Sequence, residues 1–243
     1  QHVMLFTNKG RYILQLVHDL PDIRWKDLGQ HISSIVPLDA DEQLISVEGV
    51  TDFKAKRSVV TVTRNGQIKR TALEEYLITR FNKTYKAMNV KKGDELIFAQ
   101  IVDDSAKDVI LVTHDGYELR FPMEEVAPTS TRTAGIKAAN LKDGDYIASV
   151  VIVDADDQGD VFIVTHRGAV KRMRIADFEL TGRAKRGLTI LRDLKSKPHR
   201  IVDVRRVEKD DVVVIETKKG QPETLAVSKY RHAERYSNGQ FVI

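Results

Sequence analysis

Cysteine is absent from this sequence, which excludes disulfides, thiolate metal sites and cysteine nucleophiles and fits a cytoplasmic protein. Long apolar runs are missing as well: nothing approaches the roughly 20 residues that a membrane-spanning helix needs. The opening residues, QHVMLFTNKG, have no basic segment leading into an apolar stretch and a cleavage site, so the chain reads as soluble, with neither secretion signal nor membrane contact. Because a strand begins at once after Gln1, it also reads as a piece of something longer, with a further repeat upstream. A large charge excess is missing too, with 39 Lys and Arg against 35 Asp and Glu for a net charge of +4. The distribution tells more than the sum. Basic residues outnumber acidic ones over 54–92 and 167–206, and the reverse holds over 94–160. Units arranged around one body would then present an electropositive side suited to a polyanion.

What is present is a repeat. The segments VMLFTNKG, VVTVTRNG, VILVTHDG, VFIVTHRG and VVVIETKKG end at Gly10, Gly66, Gly116, Gly168 and Gly220, spaced 50 to 56 residues apart, and a common period marks a repeat architecture. A second marker lies 19 residues on, at Gly29, Gly135, Gly187 and Gly239, while Thr84 stands one residue short of that offset in the second unit. Repeats near 3–57, 58–107, 108–158, 159–210 and 211–243 follow, read as a single domain over 1–243. The first glycine of each sets hairpin register, and Asn65-Gly66 suits a two-residue type I′ turn. Alternating Val, Ile, Tyr and Phe, as in YELRF and, after IKAANL and the turn KDGD, YIASVVIVD, give three or four short strands per unit. Helical periodicity is weak. The pieces ALEEY, PMEEV, RIADF and AVSKY make about one turn each and are expected to pack Tyr76, Val126, Phe178 and Tyr230 against their sheets. A period near 50 with four strands per unit belongs to radially arranged small sheets, since solenoid coils are shorter and separate 50-residue domains without disulfides bury too little. The expected class is therefore all-β and propeller-like.

Around the second marker the sequence reads RWKDLGQH, RFNKTYKA, TRTAGIKA, GRAKRGLT and ERYSNGQF. Strand formation calls for no Arg or Lys in a turn. A solvated loop explains any single copy, but the recurrence points to function. Trp25 and Tyr85 read as packing residues rather than stacking platforms. His114 and His166 occupy matching turns without a third ligand at suitable spacing, and DADDQGD at 154–160 lacks the register and final Glu of a calcium loop, so no metal and no other cofactor is expected. No nucleophile and base repeat or converge in sequence, and no catalytic residue is assigned.

The apolar strand, Thr-x-x-Gly, a basic pair as in IKR or VKR, Arg-x-x-x-Gly and a Gly-Asp turn together resemble the C-terminal domain of the A subunits of bacterial type IIA topoisomerases, DNA gyrase and DNA topoisomerase IV. LPDIRWKDLGQHIS, TGRAKRGLTILRDLKSKPHRI and ERYSNGQFVI look most like the topoisomerase IV branch from Gram-positive bacteria, and the likeness covers the whole chain. The resemblance implies a β-pinwheel of about five four-stranded blades, a propeller-like disc whose neighbouring blades exchange strands. It implies that the chain binds and bends duplex DNA without sequence preference along a basic outer rim, presenting a segment for decatenation or relaxation. The implied partners are duplex DNA, the N-terminal catalytic part of the same subunit, and the ATPase B subunit of a heterotetramer, in the cytoplasm and on the chromosome. The cleavage tyrosine lies outside this chain on that reading, which leaves the domain itself non-catalytic. Gyrase's Gln-Arg-Arg-Gly-Gly-Lys-Gly box is absent, GRAKRGL at 182–188 being the nearest stretch, which speaks against gyrase-type wrapping. That wrapping role, a propeller module for another protein, and a carbohydrate-active propeller enzyme are the alternatives. Acidic residues scattered through turns disfavour the last.

Candidate DNA contacts fall into two classes. The hairpin exits contribute Lys69, Arg70, Arg120, Lys171, Arg172 and Arg174, expected to line an outer edge. The loops at the second marker contribute Arg24, Lys26, Arg80, Lys83, Lys86, Arg132, Lys137, Arg183, Lys185, Arg186 and Arg235. The fourth unit combines both classes with few acidic neighbours, while the third has Asp115, Glu118, Glu124 and Glu125 close by.

Overall fold

Each Thr-x-x-Gly builds one turn by the same two contacts. The glycine N–H donates to the threonine carbonyl, at 3.1 Å for Gly10 and 3.0 Å for Gly66, and the threonine hydroxyl accepts the N–H of the residue after the glycine, as in Gln67 to Thr63 and Tyr117 to Thr113, both 3.1 Å. The glycines take φ between +73° and +93°, whereas Asn65 is not in that region. The expected two-residue type I′ turn is thus corrected to a three-residue one, residues 64–66 between strands, with only its last member left-handed.

The structure, a computed structural model, describes residues 1–242. In chain order the strands are β1 (His2–Thr7), β2 (Arg11–Leu16) and β3 (Leu44–Val50); β4 (Arg57–Thr63), β5 (Gln67–Ala72), β6 (Tyr85–Lys86) and β7 (Leu96–Asp103); β8 (Lys107–Thr113), β9 (Tyr117–Pro122), β10 (Ile136–Lys137) and β11 (Ile147–Asp154); β12 (Asp160–Thr165), β13 (Ala169–Arg174), β14 (Leu188–Thr189) and β15 (Ile201–Val207); and β16 (Val212–Glu216), β17 (Pro222–Ala226) and β18 (Gln240–Phe241). They form four antiparallel four-stranded blades, β3-β1-β2-β6, β10-β5-β4-β7, β11-β8-β9-β14 and β15-β12-β13-β18, and a pair β16-β17. The fourth strand of each blade is donated by the next unit, always in one register: Tyr12↔Tyr85, Ile68↔Ile136, Glu118↔Leu188 and Val170↔Gln240. That close approach explains the second marker at Gly135, Gly187 and Gly239, whereas a Cβ on Gly29, whose connector donates no strand to the described blades, would meet no neighbour nearer than 4.0 Å. A Cβ on Gly187, at φ +85°, would stand 1.9 Å from the Glu118 carbonyl oxygen, and one on Gly239 2.1 Å from that of Val170. In the second unit Thr84 fills the place, its hydroxyl accepting from Arg11 Nη1 at 3.2 Å.

Two compact bodies result. Gln1–Ser105 with Val126–Lys137 makes the first and holds blades one and two; its core includes Met4, Phe6, Leu14, Val59, Leu73 and Tyr76. Ala106–Glu125 with Ala138 onward makes the second and holds blades three and four and the β16-β17 pair, built on Ile110, Val151, Val161, Met173 and Phe178 and on a smaller cluster with Phe162 and Leu225. The expected connectors are single 3-10 turns, and Tyr76, Val126 and Phe178 are buried beneath them while Tyr230 packs on the Phe162 ring at 5.3 Å. The fifth unit differs from expectation. It supplies β18 to blade four, and among the described residues only β16 and β17 remain for a blade of its own.

Candidate nucleic-acid interface

The hairpin exits do not form an outer edge. Lys69 and Lys171 are 1% and 2% exposed, and Arg120 and Arg172 are 8% exposed. Arg120 binds Asp108 through Nε at 2.9 Å and Nη2 at 2.7 Å, and its Nη1 donates to the carbonyl of Ile175 at 3.1 Å. Arg172 repeats this one blade on, with Nε to Asp160 at 2.6 Å and Nη1 to the carbonyls of Tyr230 at 3.3 Å and Val227 at 3.4 Å. His232 Nε2 lies 3.0 Å from the second Asp160 oxygen. The basic pair therefore ties its hairpin to the connector of the next unit, which covers that part of the strand. In blade two, Ser58 stands where the others have Asp108 and Asp160, and half-buried Arg70 keeps a buried Nε without a hydrogen-bond partner. Lys69 Nζ donates to Thr71 Oγ1 at 2.6 Å and to the Ser130 carbonyl at 3.3 Å. Burial lowers Lys69 to about 8, and burial with the neighbouring Arg235 lowers Lys171 to about 7. Of this class only Arg174 is exposed. Arg235, from the loop class, also turns inward: its guanidinium meets the Glu118 carboxylate and the Asp177 carbonyl. Burial nevertheless holds the Glu118 carboxyl above its ordinary range.

The remaining loop cations, Arg183 excepted, are exposed. In the first body Arg80, Lys83 and Lys86 are exposed just before and within β6, and Arg132 and Lys137 just before and within β10. Lys83 Nζ lies 5.5 Å from the Tyr85 ring, which packs on Tyr12 as expected of it, 5.9 Å between centroids. In the second body Lys185 and Arg186 are exposed and Arg183 is half-buried before β14. This loop is shaped by Ala184 at φ +63° and is pinned by Ala184 N–H to the Ala138 carbonyl and Asn140 N–H to the Lys185 carbonyl, both 2.8 Å. Glu125 accepts the Arg183 main-chain N–H at 2.8 Å, so an acidic neighbour of the third unit shapes the loop. Arg24 and Lys26 are exposed, Arg24 pairing with Asp27 at 3.3 Å. Trp25 does not pack: it is 96% exposed and Leu28 99%, which corrects the sequence expectation.

The connector cations of blades one to three thus sit at one place in the repeat, beside the exchanged strand. Sequence reasoning passed over Lys91, Lys92, Arg192 and Lys195, exposed in the segments that follow β6 and β14; the runs VKKGD and LRDLKSK were the available signal. Among the described residues no group of three or more His, Asp or Glu is placed to hold a metal, and no helix is long and apolar enough to cross a membrane.

Antiparallel blades that trade their fourth strand in a constant register define an all-β β-pinwheel domain, here with basic connectors at the traded edge. The family described as "DNA gyrase C-terminal domain, beta-propeller" matches residues 1–51, 57–103, 107–154 and 159–208, and the chain belongs to it. The A subunit of DNA topoisomerase 4 from Bacillus subtilis (strain 168) is 41% identical over 239 residues, 98% of this chain and 29% of that protein. The chain accordingly spans less than a third of such relatives. A solved C-terminal domain of DNA topoisomerase IV superposes with TM-score 0.94 at 43% identity, over all of this chain and 74% of that one. A DNA gyrase A C-terminal domain, at 21% identity and TM-score 0.80 over all of this chain and 78% of that one, shares the fold.

Proposed function

We propose that residues 1–243 act as one non-catalytic domain that binds duplex DNA without sequence preference and bends it, serving a topoisomerase IV. The carrying observation is the placement of Arg80, Lys83 and Lys86, of Arg132 and Lys137, and of Arg183, Lys185 and Arg186 beside the exchanged strand of successive blades. Duplex DNA offers about one phosphate per 1.7 Å, and cations that reach it gain free energy by releasing condensed counterions. Bending 20 to 30 base pairs by 40 to 90° costs on the order of 1 to 6 kcal/mol, so contacts must be spread along the curve. One basic connector for each of blades one to three supplies such contacts. Family membership and the likeness to topoisomerase 4 A subunits support the wider reading: the bent segment is presented for decatenation or relaxation to the catalytic part of the same polypeptide, with the ATPase B subunit completing the enzyme, in the cytoplasm and on the chromosome.

Duplex binding at fixed low salt tests this. Replacing Arg183, Lys185 and Arg186 together with Ala is expected to weaken binding by roughly tenfold or more. Replacing Lys107, held by Asp154, or Lys142, over the Tyr117 ring at 5.7 Å, is expected to change little. Equal effects from both sets would refute the assignment.

A further inference from the structure

Lys171 is buried on β13 with a hydrogen-bond shell made of main-chain carbonyls. Its Nζ donates to the carbonyls of Arg235 at 2.7 Å, Ser237 at 3.0 Å and Glu234 at 3.4 Å, and to that of Ile190 just beyond β14. Two consecutive connectors therefore converge on one amino group. The repeat register shows what it stands in for. Two residues before the second glycine, the Thr133 carbonyl accepts Asn89 N–H at 2.9 Å and the Lys185 carbonyl accepts Asn140 N–H at 2.8 Å. Ser237 occupies that place in the fifth unit, and its carbonyl is taken by Lys171 instead. Lys69 stands at the same position of its hairpin and reaches the Ser130 carbonyl in the connector of the next unit, whereas Ile13, Leu119 and Glu223 fill the position in the other hairpins. Several carbonyl oxygens facing one buried point can be satisfied only by a multiple donor, and stripping the donor leaves each of them unpaired.

We propose that Lys171 is a positioning residue for duplex binding: it meets no phosphate, and it fixes the connector backbone beside which Arg186, Arg192 and Arg231 are exposed. The binding half of this rests on the DNA reading above; the anchoring half stands without it. Hydrogen exchange of amides 233–238 in the free chain tests the anchor. Protection is expected to fall roughly tenfold in both Lys171→Met and Lys171→Ala, the scale of one lost buried hydrogen bond. It is expected to return in Lys171→Ala on adding n-propylammonium, which replaces the missing atoms, and not on adding n-propanol. Unchanged protection in Lys171→Met, whose side chain fills the same space, would reduce Lys171 to packing and overturn the proposal. Should neither variant fold, the unsubstituted protein decides: in mild acid the 15N-labelled Lys171 ammonium is expected to exchange slowly with water and to show scalar coupling to the carbonyl carbons of Arg235 and Ser237. A freely exchanging ammonium contradicts the anchor. In duplex binding, Lys171→Met is expected to lose affinity with no change in the slope of log K against log salt, whereas a slope smaller by about 0.9 makes Lys171 a phosphate contact and ends the positioning role. A native chain without duplex affinity at low salt sinks the DNA reading alone and leaves the anchor to be judged by exchange.

Discussion

Arg120 and Asp108 pair with side chains 9% and 3% exposed, and removal of either leaves the other charged and unmatched. Asp108→Ala is therefore expected to cost about 3 to 5 kcal/mol in urea unfolding. Arg24→Ala, which breaks the exposed pair with Asp27, is expected to stay within about 0.5 kcal/mol. Lys171 gives a pH signature. In the unfolded chain a lysine keeps its proton to near 10.5, whereas burial and Arg235 make Lys171 release it near 7. Between those values the unfolded state holds more protons, so stability rises with pH, and the full cost of the buried charge is felt below 7. The native chain is expected to gain on Lys171→Met from pH 7 upward, as unfolding at several pH values would show; a difference that does not change with pH contradicts a lowered pKa. None of these burials was legible locally. Alternation along β9 and β13 places Arg120 and Arg172 on one face, but what covers that face comes from a connector more than 50 residues further on.

At the level of elements, the turns were legible because their causes are local. Threonine and glycine three residues apart supply both the cap and the left-handed φ, and so the hairpins fall where the repeat puts them. The donated strands were not, since two residues carry no pattern, and only the second glycine marked their place. Gly187→Ala puts a methyl against the Glu118 carbonyl at a positive φ and is expected to destabilise by more than about 1 kcal/mol, with loss of amide protection in β14 as the local readout. Gly93→Ala has the positive φ with open space around it, and is the milder control. Trp25 shows the limit of composition. An apolar ring is read as core, yet its connector donates no strand to the described blades, and it stays in water.

For the whole molecule, a period near 50 with four strands per period was sufficient to reach the all-β class, and the family match agrees. The count of complete blades was not legible, because a blade is finished by the following unit. The candidate site was half legible: the recurrence of cations at the second marker located the connectors, while Lys69, Arg120, Lys171 and Arg172 of the hairpin exits proved to be internal fastenings. The proposed curvature of DNA depends on the first set alone. Its most direct test is the slope of log K against log salt for duplex binding, comparing the native chain with a variant carrying Ala at Arg80, Lys83, Lys86, Arg132, Lys137, Lys185 and Arg186. The slope is predicted to shrink by about 0.9 for each phosphate contact removed, with affinity falling uniformly across sequences. A variant that keeps the native slope contradicts the account.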